Sequence, residues 1–224
     1  MKTKPLKQLQ SHSDKNIHFG IIAIILLSFI LAAYYYPVMP DRMISHWNSA
    51  GQPNGYMTKC WALYLMPSIS VILYLLFLLL PKIDPMKKNF EKFRDWFDGF
   101  ILVIITFLFY VYLLSLIANL GFVFNMTTMV MPAMGLLFIY IGYMMEHVKK
   151  NWFVGIRTPW TLSSDVVWKK THMLAGKLFK MAGVFILCGI FLQRLVIWIV
   201  LFSVFWAAIY PVVYSYFEYK RLQK

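Results

Sequence analysis

Acidic side chains are scarce in this sequence. Asp and Glu number 9 in 224 residues, against 22 Lys and Arg. Charge of either sign makes up only 14% of the chain, where a soluble domain carries roughly a quarter. Coupled ion transport needs ionisable groups inside apolar spans, and acid–base catalysis needs them clustered. Few groups are available for either. Asp98, Glu146 and Arg194 stand at the ends of apolar runs, where long side chains reach for water. Glu146 and His147 are adjacent in sequence and so do not share a helix face, and Asp165 and His172 complete no catalytic or metal set with them. We expect no enzyme, no catalytic residues, no metal and no cofactor. Cysteine is limited to Cys60 and Cys188, too few for a disulfide framework or a thiolate metal site, which leaves them as packing residues. The chain has no low-complexity tract. Disorder is excluded by a composition that is 60% hydrophobic and 18% aromatic.

Long apolar runs dominate what is present. About 20 residues of helix cross a hydrocarbon core, and runs of this kind occupy approximately 19–36, 61–80, 99–118, 127–146, 177–193 and 195–216. The first is longer than a signal-peptide core and ends in Tyr34-Tyr35-Tyr36, an interfacial aromatic belt, so it reads as a retained helix. Only Gln193 and Arg194 separate the last two. The expected fold is all-α: an integral membrane protein with six transmembrane helices.

Basic residues set the orientation. Nineteen lie in the N-terminal tail, the second and fourth connections and the C-terminal tail, whereas Arg42, Lys59 and Arg194 occupy the other side. Lys and Arg remain cytoplasmic during insertion, so both termini are expected in the cytoplasm. The excess of +13 is a topology signal and an attraction to anionic lipid; with no soluble domain to carry it, it does not indicate direct nucleic-acid binding. The organisation read from these features is a basic cytoplasmic tail over 1–18 and a first helical pair over 19–80, with an extracytoplasmic loop at 37–60. A basic connection over 81–98 follows, then a four-helix portion over 99–224 with a cytoplasmic loop at 147–176.

Two loops carry specific information. The outer one is dense in turn formers, with Gly51, Pro53, Asn54 and Gly55 letting the chain double back. His46, Trp47, Asn48, Gly51 and Pro53 are its candidate residues. It is either an ordered turn anchored by Trp47 or a recognition face using His46 with Asp41; one His and one Asp are too few for a metal. The inner loop holds Trp152, Trp160 and Trp168, three of the eight tryptophans, among cations, a pattern of segments lying at the headgroup boundary. Gly155 and Pro159 bracket a fixed turn, in which Thr158, preceding proline, is biased to be extended. Ser163 or Ser164 is a good N-cap, which predicts a short amphipathic interfacial helix from about Ser164 to Gly176 before the fifth span. It would place Trp168, Thr171, His172 and Ala175 on one face and allow Asp165 to pair with Lys169. Arg157 can hold helix-end carbonyls or lipid phosphate, or recognise a partner.

The inner stretch Asn151-Trp152-Phe153-Val154-Gly155-Ile156-Arg157-Thr158-Pro159-Trp160-Thr161-Leu162-Ser163, followed by Val167-Trp168-Lys169-Lys170-Thr171-His172, resembles the signature of the SdpI family of bacterial immunity proteins. Pro40, His46-Trp47-Asn48, Gly51, Pro53 and Lys59 resemble the uncharacterised N-terminal domain often joined to it. Tyr143 after Gly142 and Met173 after His172 depart from the family's pattern. The resemblance implies protection of the producing cell against a secreted, membrane-active toxin peptide. It further implies a receptor role in which a cognate transcriptional repressor is held at the membrane. Partners would then be the lipid bilayer, a toxin peptide at the outer face and a cytoplasmic repressor. Asn151, Gly155, Arg157, Thr158, Pro159, Trp160, Trp168 and His172 form the candidate recognition or structural motif. A small transporter or an orphan membrane protein of the same fold is the alternative.

Overall fold

A computed structural model of the chain describes residues 6–192 and 195–223, with side chains from Lys15 onward. The expected tail residues Lys2 and Lys4, the Gln193-Arg194 connection and Lys224 lie outside the described residues. Helix α1 (Leu6–Tyr35) leads into strands β1 (Arg42–Trp47) and β2 (Pro53–Thr58), then α2 (Lys59–Ile83). The short α3 (Lys87–Phe90) passes through a 3-10 turn, Glu91–Phe93, into α4 (Arg94–Asn119). Then come α5 (Met126–His147), α6 (Pro159–Ser163), α7 (Asp165–Gly189) and α8 (Val196–Leu222). Six of these helices are long and apolar enough to cross a membrane, as the hydropathy of the sequence predicts.

The connectivity gives the bundle two distinct ends. The hairpin β1–β2 and the α4–α5 connection lie at one, here the hairpin end. The α2–α4 connection and the loop between α5 and α7 lie at the other, the motif end. In the first half α1, α2 and α4 pack together; in the second α5, α7 and α8 do; α4 against α5 joins them. At the motif end Ile21, Ile25, Phe90, Phe93, Phe97, Ile101 and Trp168 belong to one continuous core. At the hairpin end a smaller core gathers Ala32, Met39, Met43, Leu63, Tyr112 and Leu116.

The closest helix pair is α5 against α7. A Cβ on Gly135 would stand 2.9 Å from the carbonyl oxygen of Gly183, and one on Gly142 would stand 2.7 Å from that of Gly176. The glycines recur seven residues apart on each antiparallel helix, so one face of each presents bare backbone to the other. Small residues are the usual device for close approach of membrane helices, which gain van der Waals contact rather than hydrophobic burial.

Four features differ from the sequence expectation. The all-α fold carries one addition, the antiparallel hairpin β1–β2. No break separates an interfacial helix from the fifth span: α7 runs unbroken from Asp165, because Gly176, the expected end, serves as a close-contact point against α5. Cys60 and Cys188 both lie exposed on the outside of the bundle instead of in a core. Asp98 does not reach for water; it is fully buried, with Arg94 Nε at 2.8 Å and His18 Nε2 at 3.7 Å.

Candidate functional site

The motif loop is organised by the Asn151 side chain, which is fully buried. Its amide nitrogen donates to the carbonyls of Lys149 (2.8 Å) and Val154 (2.9 Å), and its oxygen accepts from the backbone N–H groups of Phe153 (2.8 Å) and Val154 (2.6 Å). Two donors and two acceptor positions exhaust what an asparagine amide offers. The loop is then stitched to the α2–α4 connection. Buried Asp84 accepts from the N–H of Trp152 (3.0 Å) and of Met86 (2.6 Å), and Asn89 donates to the carbonyl of Lys150 (3.0 Å).

Gly155 follows with φ +107, a left-handed conformation, and a Cβ there would stand 2.3 Å from His172 Nε2. That nitrogen accepts the N–H of Ile156 at 3.0 Å, while Nδ1 lies 2.8 Å from the carbonyl of Trp168. An imidazole nitrogen that accepts a backbone N–H carries no proton, so the proton resides on Nδ1, which donates to Trp168. The ring stacks on the Trp168 indole at 4.0 Å, and the indole N–H donates to the carbonyl of Val148 (3.1 Å), closing the end of α5. Arg157 donates from Nη1 to the carbonyl of Trp152 at 2.6 Å across the turn.

Thr158 is extended and caps α6. Its Oγ1 accepts from Thr161 N–H (3.1 Å), Thr161 Oγ1 accepts from Thr158 N–H (2.9 Å), and Pro159 begins the helix. Threonine N-caps with proline at the first helical position are a standard helix start, a signal that sequence reasoning passed over. Thr158 Oγ1 also bonds Ser215 Oγ at 3.0 Å, and Trp160 meets Tyr216 edge-on, so α6 anchors the loop to α8. Ser164 caps α7 as expected. Asp165, by contrast, pairs with Lys150 rather than Lys169. The face formed by Trp168, Thr171, His172 and Ala175 is buried in the protein, so Trp168 is no headgroup anchor. Only Trp152 of the three tryptophans is largely exposed, at 47%.

At the hairpin end, Asn48 takes the role that Asn151 plays at the other. Its oxygen accepts from the N–H of Ala50 and Gln52, both at 3.0 Å, shaping the turn. Gly51 has φ +75 and packs against Asn125, whose amide donates to the carbonyl of Ala50 (2.8 Å) while its oxygen caps α5. Asn119, at the end of α4, pairs both ways with Ile44, accepting its N–H (2.7 Å) and donating to its carbonyl (3.0 Å). The hairpin is thus fixed to the ends of α4 and α5 by residues about 75 positions away. Asp41 and His46 do not form one site: Asp41 pairs with Lys59 (3.0 Å) and His46 with Asn54 (2.5 Å). Pro53 opens β2 opposite Trp47. Beneath the hairpin lies an apolar cavity of about 360 Å³, roofed by Ile44, His46 and Trp47 and walled by α2, α4, α5 and the first turns of α8.

No three His, Cys, Asp or Glu side chains among the described residues are grouped to hold a metal. Residues 147–215 match the SdpI/YfhL protein family, and residues 23–71 match a domain of unknown function, DUF1648. The chain is similar to the immunity protein SdpI of Bacillus subtilis (strain 168), with 28% identity over 202 residues, covering 90% of this chain and 95% of that protein. No solved structure matches. With its six apolar helices and this similarity, the chain is a multi-pass protein of the plasma membrane.

Proposed function

We propose that this chain, which carries the signature region of the SdpI family, is a non-enzymatic immunity protein protecting its host against a secreted, membrane-active toxin peptide. The observation that carries the reading is the similarity to an immunity protein along nearly the whole of both chains. It spans the hairpin and the motif together, so the similarity covers nearly the whole sequence rather than one segment.

The basic connections at the motif end support a cytoplasmic location for it and for both termini. The hairpin then faces the side from which a secreted toxin arrives, and His46, Trp47, Asn48, Gly51 and Pro53 belong to the receiving face. The signature motif faces away. At that inner end Arg157 and Trp152 remain exposed beside lysines, a surface suited to docking a cytoplasmic repressor. Signalling of this kind requires the toxin to bind one arrangement of the helices better than another.

Expression of the chain in a strain sensitive to the toxin countered by the Bacillus relative tests the immunity reading. Protection at normal membrane abundance is expected; full sensitivity despite insertion overturns it. For the docking reading, Trp152→Ala with Arg157→Ala should keep protection but release the repressor from the membrane fraction. Unchanged co-fractionation removes that surface from consideration.

A further inference from the structure

Between α7 and α8, at the motif end, lies a half-open groove of about 760 Å³. Val166, Lys170, Met173, Leu174 and Lys177 of α7 line it, and Tyr214 of α8 forms the facing wall. The α7 residues follow the three- and four-residue spacing of one helix face, so cations and apolar side chains alternate along a single stripe. Farther along α7 the stripe continues through Met181, Val184 and Phe185, each about half exposed. Lys180, the remaining cation of this stretch, turns instead to Glu146 of α5, at 2.7 Å. Lys177 is therefore the last cation before an apolar outer surface, and the groove stands where headgroups give way to hydrocarbon.

The carboxylates around the groove are already engaged. Glu218, almost fully buried, pairs with Lys170 and accepts from the Tyr214 hydroxyl at 3.3 Å. Asp165, at the rim, pairs with Lys150. Lys169, also at the rim, and Lys177 are exposed and make no ion pair among the described residues. Two positive charges are thus left over beside the exposed Val166 and Met173. An inorganic anion would answer the lysines and leave the apolar side chains bare. A hydrocarbon chain would cover those and leave the lysines without counter-charge. An amphiphile with an anionic head meets both needs.

From this we propose that the groove seats one anionic phospholipid. Lys169 and Lys177 stand eight residues apart, about 12 Å along the helix axis, a separation that two extended lysine side chains close upon a phosphate lying over Met173. The acyl chains would run on over Met181, Val184 and Phe185. Basic hollows between membrane helices at the cytoplasmic side are suited to anionic headgroups. A lipid seated here touches both helices, and it ties the ends of α7 and α8 together beside the Thr158–Ser215 contact. The site goes beyond the immunity reading and does not rest on it, since toxin takes no part in it.

The test is native mass spectrometry of the full chain in detergent, supplied with equal phosphatidylglycerol and phosphatidylcholine. The wild type should retain one phosphatidylglycerol in preference. Lys177→Gln should lower that retention about fivefold, the usual worth of a lysine beside anionic lipid, and Lys169→Gln added to it should lower it further. Lys177→Arg, which keeps the charge, should restore it. Lys87→Gln with Lys88→Gln removes the same charge from α3, outside the groove, and should retain lipid like the wild type. A phosphatidylglycerol with a photoreactive acyl chain should label Met181, Val184 or Phe185. Equal retention of phosphatidylcholine overturns the proposal, as do labels confined to other surfaces. Equal losses in the two double variants also overturn it, because they reduce the effect to a general attraction of the basic end. Release of the lipid by inorganic phosphate does so too, and assigns the lysines to a free anion.

Discussion

The two ends of the bundle are both closed by hydrogen-bonded loops, but they cover different interiors. At the motif end the groups are consumed: Asn151 makes four hydrogen bonds, His172 makes two, and Thr158 and Thr161 cap one another. At the hairpin end the loop is likewise fixed, through Asn48, Asn119 and Asn125, but beneath it lies an apolar cavity that no Lys, Arg, Asp or Glu among the described residues lines. The most distinctive run of sequence is spent on tying the motif loop to the α2–α4 connection and to helix α8. The weaker signature, in the hairpin, roofs an apolar cavity. A strong sequence signature marks where substitution is intolerable, and a fully satisfied buried network is one reason for that.

Asn151→Ala should give the largest effect and breaks the comparison if it does not. It removes four hydrogen bonds and leaves buried N–H and carbonyl groups without partners, a cost of about 3 kcal/mol or more. The expected outcome is a large fall in Tm by scanning fluorimetry in detergent and a sharp loss of protein from the membrane. A variant that melts like the wild type would mean that the motif is not a structural clasp.

Gly155→Ala comes next. Its φ of +107 strains any L side chain, and the added Cβ would meet His172 Nε2 at 2.3 Å. Backbone strain of this kind costs roughly 1–3 kcal/mol, and the imidazole must also give up its bond to Ile156. A moderate fall in Tm is expected, with the surviving membrane-inserted protein retaining protection per molecule. Loss of protection at full stability would instead place recognition at the motif end and reverse the comparison.

The contrast also explains what could be read in the sequence. Apolar runs gave the six helices because hydropathy is a local property. The fifth was placed about twelve residues late, since Asp165, Lys169, Lys170 and Lys177 mask the first turns of α7 from a hydropathy reading. Ser164 as N-cap and Gly155 as turn glycine were legible, each being determined by its own backbone. The hairpin was not: its strands alternate poorly, carry bulges near His46, and are held by Asn119 and Asn125 from distant segments. The glycine pairs Gly135 and Gly142 on α5 and Gly176 and Gly183 on α7 acquire their meaning only when the antiparallel register is known. The cavity belongs to no single stretch of sequence, since six separate elements line it: β1, β2, α2, α4, α5 and α8.

His46→Ala should produce the smallest change in stability and the sharpest test of the comparison. The side chain is exposed, and its partner Asn54 is exposed too, so their hydrogen bond competes with water on equal terms. Surface substitutions of this type stay within about 0.5 kcal/mol, and Tm should not move. Yet His46 stands at the roof of the cavity, and removing its ring opens that roof and deletes a polar group at the entrance. Protection should therefore fall while abundance and Tm hold, the reverse of the Gly155→Ala outcome. If protection also holds, His46 is no part of the face that receives the toxin.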